Sequence, residues 1–509
     1  MTDMTSPRTH DMTGASVDRI DLRAGDTHTS TRRHARGSVL ALCALLGACA
    51  TNPVTGRSQL SLVSKSQEIQ MGKDASAGDL KRVGELNRPD AVAMVRRIGT
   101  SIASKSERPD LPWEFHLLDD AAVNAFAYPG GFIFVTRGLM THLTNEAELA
   151  EVIGHEIGHV TAKHSVSQMS KQQLTQIGLV GASVFSSTAA KYGELLGQGA
   201  SLLFLKFSRD DEVQADAIGF RYSLAQGYDV REAPKVFATL GRLSGEGGAK
   251  IPEWQSTHPD PGNRVATATA KVNALPAGSL TNKTVNREGY LKILDGMVFG
   301  ENPRNGYFKG GRFLHPDLRF QMDFPNGWKS QNQPDAVVAI SGDNNAQLVL
   351  APGQGTPQQV IQQFTGQQGV TVKQSGNVTI NGLPGAAAVF EAQSSSSGVL
   401  RGQIVAIQYQ NATYVFTGIM TATAPSARES EMDAAIKSFR PLTDAAVLNV
   451  QPAVIQLVAL PEAMTGATFV QRYPSNAPAN TVYIINEMDA NTSLPRGMVL
   501  KRVVGGVIP

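Results

Sequence analysis

The chain runs to 509 residues, room for about two to four domains that each bury a core. Its 41% hydrophobic content is that of a globular protein, while 18% charged residues and a net charge of +2 argue against a nucleic-acid surface or an acidic tail. Charge therefore names no partner.

Both cysteines stand near the start, in RRHARGSVLALCALLGACA. Arg32, Arg33 and Arg36 precede an apolar run from Val39 to Ala48 that is too short to span a bilayer but right for the core of a signal peptide. Residues 1–48 are thus expected to be an export signal with an extended polar beginning, and Arg32-Arg33 leaves a twin-arginine route open. The end of the run, Leu46-Gly47-Ala48-Cys49, resembles the lipobox of bacterial lipoproteins; a plain secretory cleavage nearby is the alternative. The resemblance implies that Cys49 is acylated, that Cys43 is removed and that no disulfide forms in the mature chain. Ala50 after the cysteine implies the outer membrane by the same resemblance.

Residues 49–64 then read as a lipidated tether. Asp90 is placed to cap a helix with Val95, Ile98 and Ile102 on its buried face. Trp113, Phe115 and Leu117 alternate as in a strand, and Ala122 to Thr136 reads as strand, Pro-Gly-Gly break and strand. Helical pattern follows to about Leu275, including an apolar stretch, Leu174 to Ala190, whose polar residues predict a packed helix rather than a membrane span. From Phe313 the pattern changes to short strands with helical stretches at PQQVIQQF and SEMDAAIKSF, and SSSSG, Ser394 to Gly398, reads as a hairpin tip or loop. The fold class expected is α+β and multidomain. It comprises a mainly helical domain with a small edge sheet over 65–306, an α+β sandwich-like domain over 307–441 and a small module over 442–509.

The chemistry centres on EVIGHEIGHVTAKH, Glu151 to His164. Asn145 predicts an N-cap with Glu148 in capping-box position, and Leu149, Val152 and Ile153 predict a buried face, so the stretch lies on a helix. At about 100° per residue His155 and His159 fall within roughly 40° of each other, one turn apart, and can reach one Zn²⁺. Glu156, beside them, can take a proton from the attacking water and pass it to the leaving amine. This is the HExxH arrangement. His164 lies roughly 140° round a continuous helix from His159 and is expected to be a surface or packing residue. The HExxHxxGxxH alternative does not apply, because Ala162 and Ser165 occupy its glycine and histidine positions. Glu151 is expected to face solvent with no role. The third ligand is expected from FSRDDEVQADAIGF, where Glu212 and Asp216 stand four apart on one helical face. Glu212 would bind the single zinc ion, and Asp216 would fix a histidine through its other ring nitrogen. Two histidines, one glutamate and an open water position make a catalytic site rather than a structural one.

HEIGHVTAKH followed by SRDDEVQAD resembles the gluzincin metallopeptidases of the CAAX prenyl endopeptidase type, in their soluble bacterial periplasmic lipoprotein branch. CATNPVTGRSQLSLVS, NAFAYPGGFIFVTRGL and STHPDPGNR stand in the family's order, so the resemblance covers Cys49 to Leu275. It implies that Asn124, Ala125, Phe126 and Ala127 form the edge strand of a cleft, on which substrate backbone adds in extended form. It implies further that His258 approaches the metal. There it would either stabilise the oxyanion of the tetrahedral intermediate or occupy the water position and block catalysis, with helix capping as a third role. Arg264 would brace the loop or a ligand. The several apolar spans of membrane-embedded family members are lacking, so prenylated substrates are not implied.

Residues 307–441 faintly resemble the photosystem oxygen-evolving accessory fold, and the tail from Gly466 resembles a LysM module, which would make peptidoglycan glycan strands a partner; a generic small cap is the alternative. The function expected is a zinc-dependent endopeptidase, lipid-anchored in the outer membrane and facing the periplasm, that degrades misfolded or stalled envelope proteins. A chaperone or binding module of outer-membrane assembly, with latent or secondary proteolysis, is the alternative.

Overall fold

Two glycines set the first architectural feature. The computed structural model describes residues 49–180, 207–246, Trp254, His258, 263–394 and 398–506, and within it Gly130 and Gly131 join two strands with φ of 84° and 107°. A side chain at Gly130 would also meet the backbone of Ile69 at 2.7 Å, so both the turn and the close approach require glycine. The strands they join, β2 (Ala125–Tyr128) and β3 (Phe132–Thr136), are antiparallel, and β1 (Glu114–Leu118) runs parallel to β3 on its other side. The order β1-β3-β2 makes β2 an edge strand.

Helices surround this sheet. α1 (Lys65–Arg82) starts on a Ser64/Gln67 capping box. α2 (Pro89–Ala103) buries Val95, Ile98 and Ile102 as expected, but its N-cap is Arg88. Pro89, with φ preset and no N–H to satisfy, takes the first helical position, and Asp90 falls in the first turn. After the short α3 (Arg137–His142) comes α4 (Glu146–Thr161), the helix of the HExxH motif. Asn145 caps it through the Glu148 N–H at 3.0 Å. The Glu148 carboxylate instead accepts from the Thr144 N–H and hydroxyl, both at 2.7 Å, so no capping box closes. α5 (His164–Val180), α6 (Arg209–Ala225), α7 (Ala233–Glu246), α8 (Arg264–Asn273) and α9 (Arg287–Leu294) follow.

Every residue of α4 is buried, because α2, α6, α7 and β2 pack around it. Glu151 is therefore not solvent-facing: it is 3% exposed, and burial, with the charge of Asp216 nearby, pushes its carboxyl up to about 8. The stretch expected as a tether is also tied down. Asn52 and Gln59 each donate to the Ala162 carbonyl at 3.2 Å, and Leu62 N–H donates to Ser170 Oγ. A helix end buried among side chains needs donors for its last carbonyls, and residues 52–62 supply them.

Two separate cores organise the rest. One runs from Ala91 through the helices to Phe299 and continues into Ala453, Ile455, Phe469, Val482, Leu500 and Val503. The other, from Phe313 to Phe439, joins an antiparallel seven-stranded sheet in the order Val370–Ile380, Leu383–Ser394, Gly398–Tyr409, Ala412–Thr421, Ala346–Gly353, Val337–Ile340, Lys329–Asn332 to a four-stranded sheet whose strands Arg312–His315 and Phe320–Asp323 supply Phe313, Phe320 and Met322. Ile404 and Ala406 meet the helix Pro357–Thr365 on one face, while Val405 and Ile407 belong to the cluster that holds the helix Ala427–Lys437 on the other. Ser394 pairs with Gly398, and the serines between them lie outside the described residues. The α+β multidomain expectation is thus met. The tail pairs Ala453–Ala459 with Val499–Gly505 around two short helices, Gly466–Arg472 and Ala479–Ile485. No helix of the described residues is long and apolar enough to cross a membrane. The export signal lies outside the described residues, as does Leu174–Ala190 beyond Val180.

Candidate metal centre

The site is made by α4 and α6 crossing at close range, and three glycines allow it. Gly154 and Gly158 lie one turn apart on α4; a Cβ at the first would meet Gly219 Cα at 3.2 Å and at the second Ile218 Cβ at 3.2 Å. On α6, a Cβ at Gly219 would stand 2.8 Å from the backbone nitrogen of His155. With no side chains between them the backbones approach closely, and the first turns of α6 reach the imidazoles of α4.

His155, His159, Glu212 and His258 converge there, all buried, with ligand atoms within 4.8 Å of one another. His155 Nε2 and His159 Nε2 are 3.0 Å apart, and Glu212 lies 3.5 Å from the first and 3.4 Å from the second. His155 Nδ1–H donates to Asp216 Oδ1 at 2.9 Å, which leaves its Nε2 a lone pair. Ring nitrogens and a carboxylate converging on one point out of water are the donor types and number that a zinc ion takes, so this donor set fits zinc. Arg264 holds Asp216 from behind: its Nε donates to Oδ2 at 2.9 Å, a second nitrogen bonds Oδ1, and a third stands 4.0 Å from Glu212. Phe237 lies flat under the guanidinium.

Electrostatics follow from burial and partners. Burial alone would raise Glu212, but the charge of His258 and the hydrogen bonds of His159 and His258 hold its carboxyl far below the usual range. Asp216, raised by burial, is brought down to about 2 by His155 and Arg264. Burial pushes His159 well down, which favours the neutral, metal-binding ring. For His258 burial lowers, yet the charges of Glu212 and Glu156 leave it raised. Glu156 is fully buried, neither of its oxygens has a hydrogen-bond partner, and burial pushes its carboxyl above the usual carboxylate range. A carboxylate in that state is disposed to take a proton.

The remaining residues singled out from sequence are placed as follows. His258, stacked on Trp254 at 4.2 Å, has Nδ1 3.1 Å from Glu212 Oε1 and Nε2 3.6 Å from Glu156 Oε1. Ala125, Phe126 and Ala127 lie on edge strand β2 and Asn124 immediately precedes it; Asn124 is buried and its Oδ1 has no partner. His164 is not at the surface: it is 2% exposed, with Nδ1 2.9 Å from His159 Nδ1. The helix that carries His155 and His159 ends at Thr161, three residues before it. Sequence reasoning also passed over Trp254, Phe207, which stacks on His159 at 4.0 Å, and the glycine spacing in GHEIG, which was the available signal for the helix crossing.

Residues 89–272 match the model of Peptidase family M48, and that segment holds His155, Glu156, His159, Glu212, Asp216, His258 and Arg264. The mitochondrial metalloendopeptidase OMA1 of Arabidopsis thaliana is 32% identical over 200 residues, which cover 37% of this chain and 38% of that protein. The beta-barrel assembly-enhancing protease of Escherichia coli is 32% identical over 239 residues, 44% of this chain and 48% of that protein. The chain thus spans less than half the length of either. The solution structure of cyanobacterial PsbP from Synechocystis aligns with 26% of this chain and 91% of its own at 14% identity, and at a TM-score of 0.22 it carries no conclusion.

Proposed function

We propose that this chain is a zinc-dependent endopeptidase, a reading that its M48 segment supports and that one observation carries: the buried convergence of His155, His159 and Glu212 beside a Glu156 whose oxygens accept no hydrogen bond. His155, His159 and Glu212 would hold the ion. A zinc ion there polarises a substrate carbonyl and acidifies water at neutral pH. The chain supplies the rest. Glu156, its charged form disfavoured by burial, takes the proton of the attacking water and hands it to the departing amine. Asp216 fixes the tautomer of His155, and Arg264 keeps Asp216 charged and oriented. Substrate backbone adds beside β2 at Asn124 to Ala127, extended as another strand.

His258 is read as the residue that closes the site. Its Nδ1 stands among the ligand atoms, which favours occupancy of the fourth position over stabilisation of an oxyanion. His258→Ala should then raise turnover of an unfolded substrate, and a fall would assign the oxyanion role.

The CAAX-type branch, the anchor at Cys49 and a place on the periplasmic side of the outer membrane belong to the same proposal. It is supported by the sequence before Cys49 and by the likeness to beta-barrel assembly-enhancing proteases. Misfolded or stalled envelope proteins are the substrates proposed, with peptidoglycan as a partner of the tail. The test is metal content together with cleavage. Purified mature protein should lose proteolysis of an unfolded substrate on chelation and regain it with zinc, and His155→Ala or Glu212→Ala should abolish stoichiometric zinc. Full zinc in both variants would overturn the ligand set, and retention of the unfolded client without cleavage would favour a chaperone.

A further inference from the structure

His164 has no part in the chemistry so far, yet its surroundings define one. Lys163 adopts a left-handed φ of 59°, which ends α4 and lets α5 begin on His164 itself. The turn brings the His164 ring back against His159, edge to face, with the centroids 4.9 Å apart and the two Nδ1 atoms at 2.9 Å. One of those nitrogens donates and the other accepts. The far side of the ring decides which: His164 Nε2 lies 2.9 Å from Gln214 Oε1 and 3.7 Å from Asp211 Oδ1. An ionised carboxylate only accepts, so Nε2 carries the proton and donates outward. Burial disfavours a second proton on the same ring. His164 Nδ1 is then a lone pair, His159 Nδ1–H donates to it, and His159 Nε2 is left bare, facing Glu212 and His155.

We propose that His164 is a positioning residue for the metal ligand His159, the counterpart of Asp216 behind His155; this rests on reading His155, His159 and Glu212 as zinc ligands. The choice of a neutral acceptor has a physical reason. Buried Glu156 and Glu212, with Asp216 behind His155, already bring three carboxyl groups to these histidines, and a fourth beside His159 would add repulsion as well as orientation. An imidazole orients the ring without adding charge. The outer end of the relay, Gln214 and Asp211, sits on α6 with Glu212 and Asp216, so one helix supplies a ligand and sets both histidine tautomers.

The experiment is zinc affinity of the full mature chain, by competition with a chromophoric chelator near neutral pH, beside its melting temperature. His164→Ala should weaken zinc binding about 10- to 100-fold, the usual effect of removing the hydrogen-bond partner of a ligand. His164→Asn, whose Oδ1 falls where Nδ1 stands, should restore most of that loss. Unchanged affinity in the alanine variant overturns the proposal. So does equal weakening in both variants with equal loss of melting temperature, which would make His164 packing alone. If His164→Ala does not fold, Gln214→Leu is read instead: weaker zinc binding supports the relay and wild-type affinity overturns it. A wild-type chain that binds no zinc would overturn the ligand set and this proposal together, whereas a tight wild type with an unaffected alanine variant sinks this proposal alone.

Discussion

Residues 313–439 and residues 453–503 are both later parts of the chain, yet they relate to the metal centre in opposite ways. The first closes a hydrophobic core of its own around a seven-stranded sheet, whereas the second has no separate core and completes the one that begins at Ala91. Ile455 N–H donates to the Met297 carbonyl at 2.8 Å and Phe299 N–H to the Ala453 carbonyl at 2.9 Å. The chain thus leaves the core around the metal centre at Phe299 and re-enters it at Ala453, side by side. Buried Lys501 donates to the carbonyls of Thr141 and Leu143, just ahead of the Asn145 cap of α4. Position along the chain does not tell which segment serves the catalytic helix; shared burial does.

The difference can be broken by cutting. Truncation before Gln451 should expose the face that Phe469, Val482 and Leu500 cover and abolish cooperative unfolding and zinc binding. Replacing residues 302–450 by a short Gly/Ser linker should leave both in place, as read by calorimetry and zinc titration. Equal damage from the two would end the distinction. Next in size are two glycines. Alanine at Gly219 would meet His155, and alanine at Gly402 would meet the Gly418 carbonyl at 2.5 Å, each costing about 3 kcal/mol by overpacking. Only Gly219→Ala should weaken zinc binding, since only it moves α6 from α4. Lys501→Met is expected to cost about 2 kcal/mol through two orphaned carbonyls, in the transition that also reports zinc release.

The smallest effect is on α4 itself. Glu151 has its folded value raised from 4.5 to about 8, so between those pH values the folded state keeps a proton that the unfolded chain has lost. Stability from this group is whole below about pH 4.5 and falls as pH rises toward 8. Glu151→Gln should therefore stabilise the fold at pH 8 by about 1 kcal/mol or more, read as a raised melting temperature, and change it little at pH 4. A gain that is the same at both values would contradict the assignment.

The fold class and the convergence of His155, His159 and Glu212 were legible because periodicity and i,i+4 spacing survive folding. His155 with His159, and Glu212 with Asp216, each share a helical face, and the structure brings the two faces together. What escaped was non-local or conformational. Lys163 carries no mark of its left-handed turn, so His164 was projected along a helix that does not continue. Glu151 was read from the periodicity of one helix, which predicts one buried face, while four neighbouring elements bury all of α4. The contact of the tail with the helix that precedes α4 also leaves no local mark, because Lys501 finds Thr141 and Leu143 only across a sequence separation that no local pattern records.

The central claim is that Glu156 moves the proton in a zinc-dependent cleavage. The most direct measurement compares wild type and Glu156→Gln for zinc content, melting temperature and hydrolysis of an unfolded protein substrate. Full zinc, an unchanged fold and hydrolysis reduced about 10²- to 10⁴-fold are the result predicted for loss of the general base. Hydrolysis at the wild-type rate with zinc retained would contradict it.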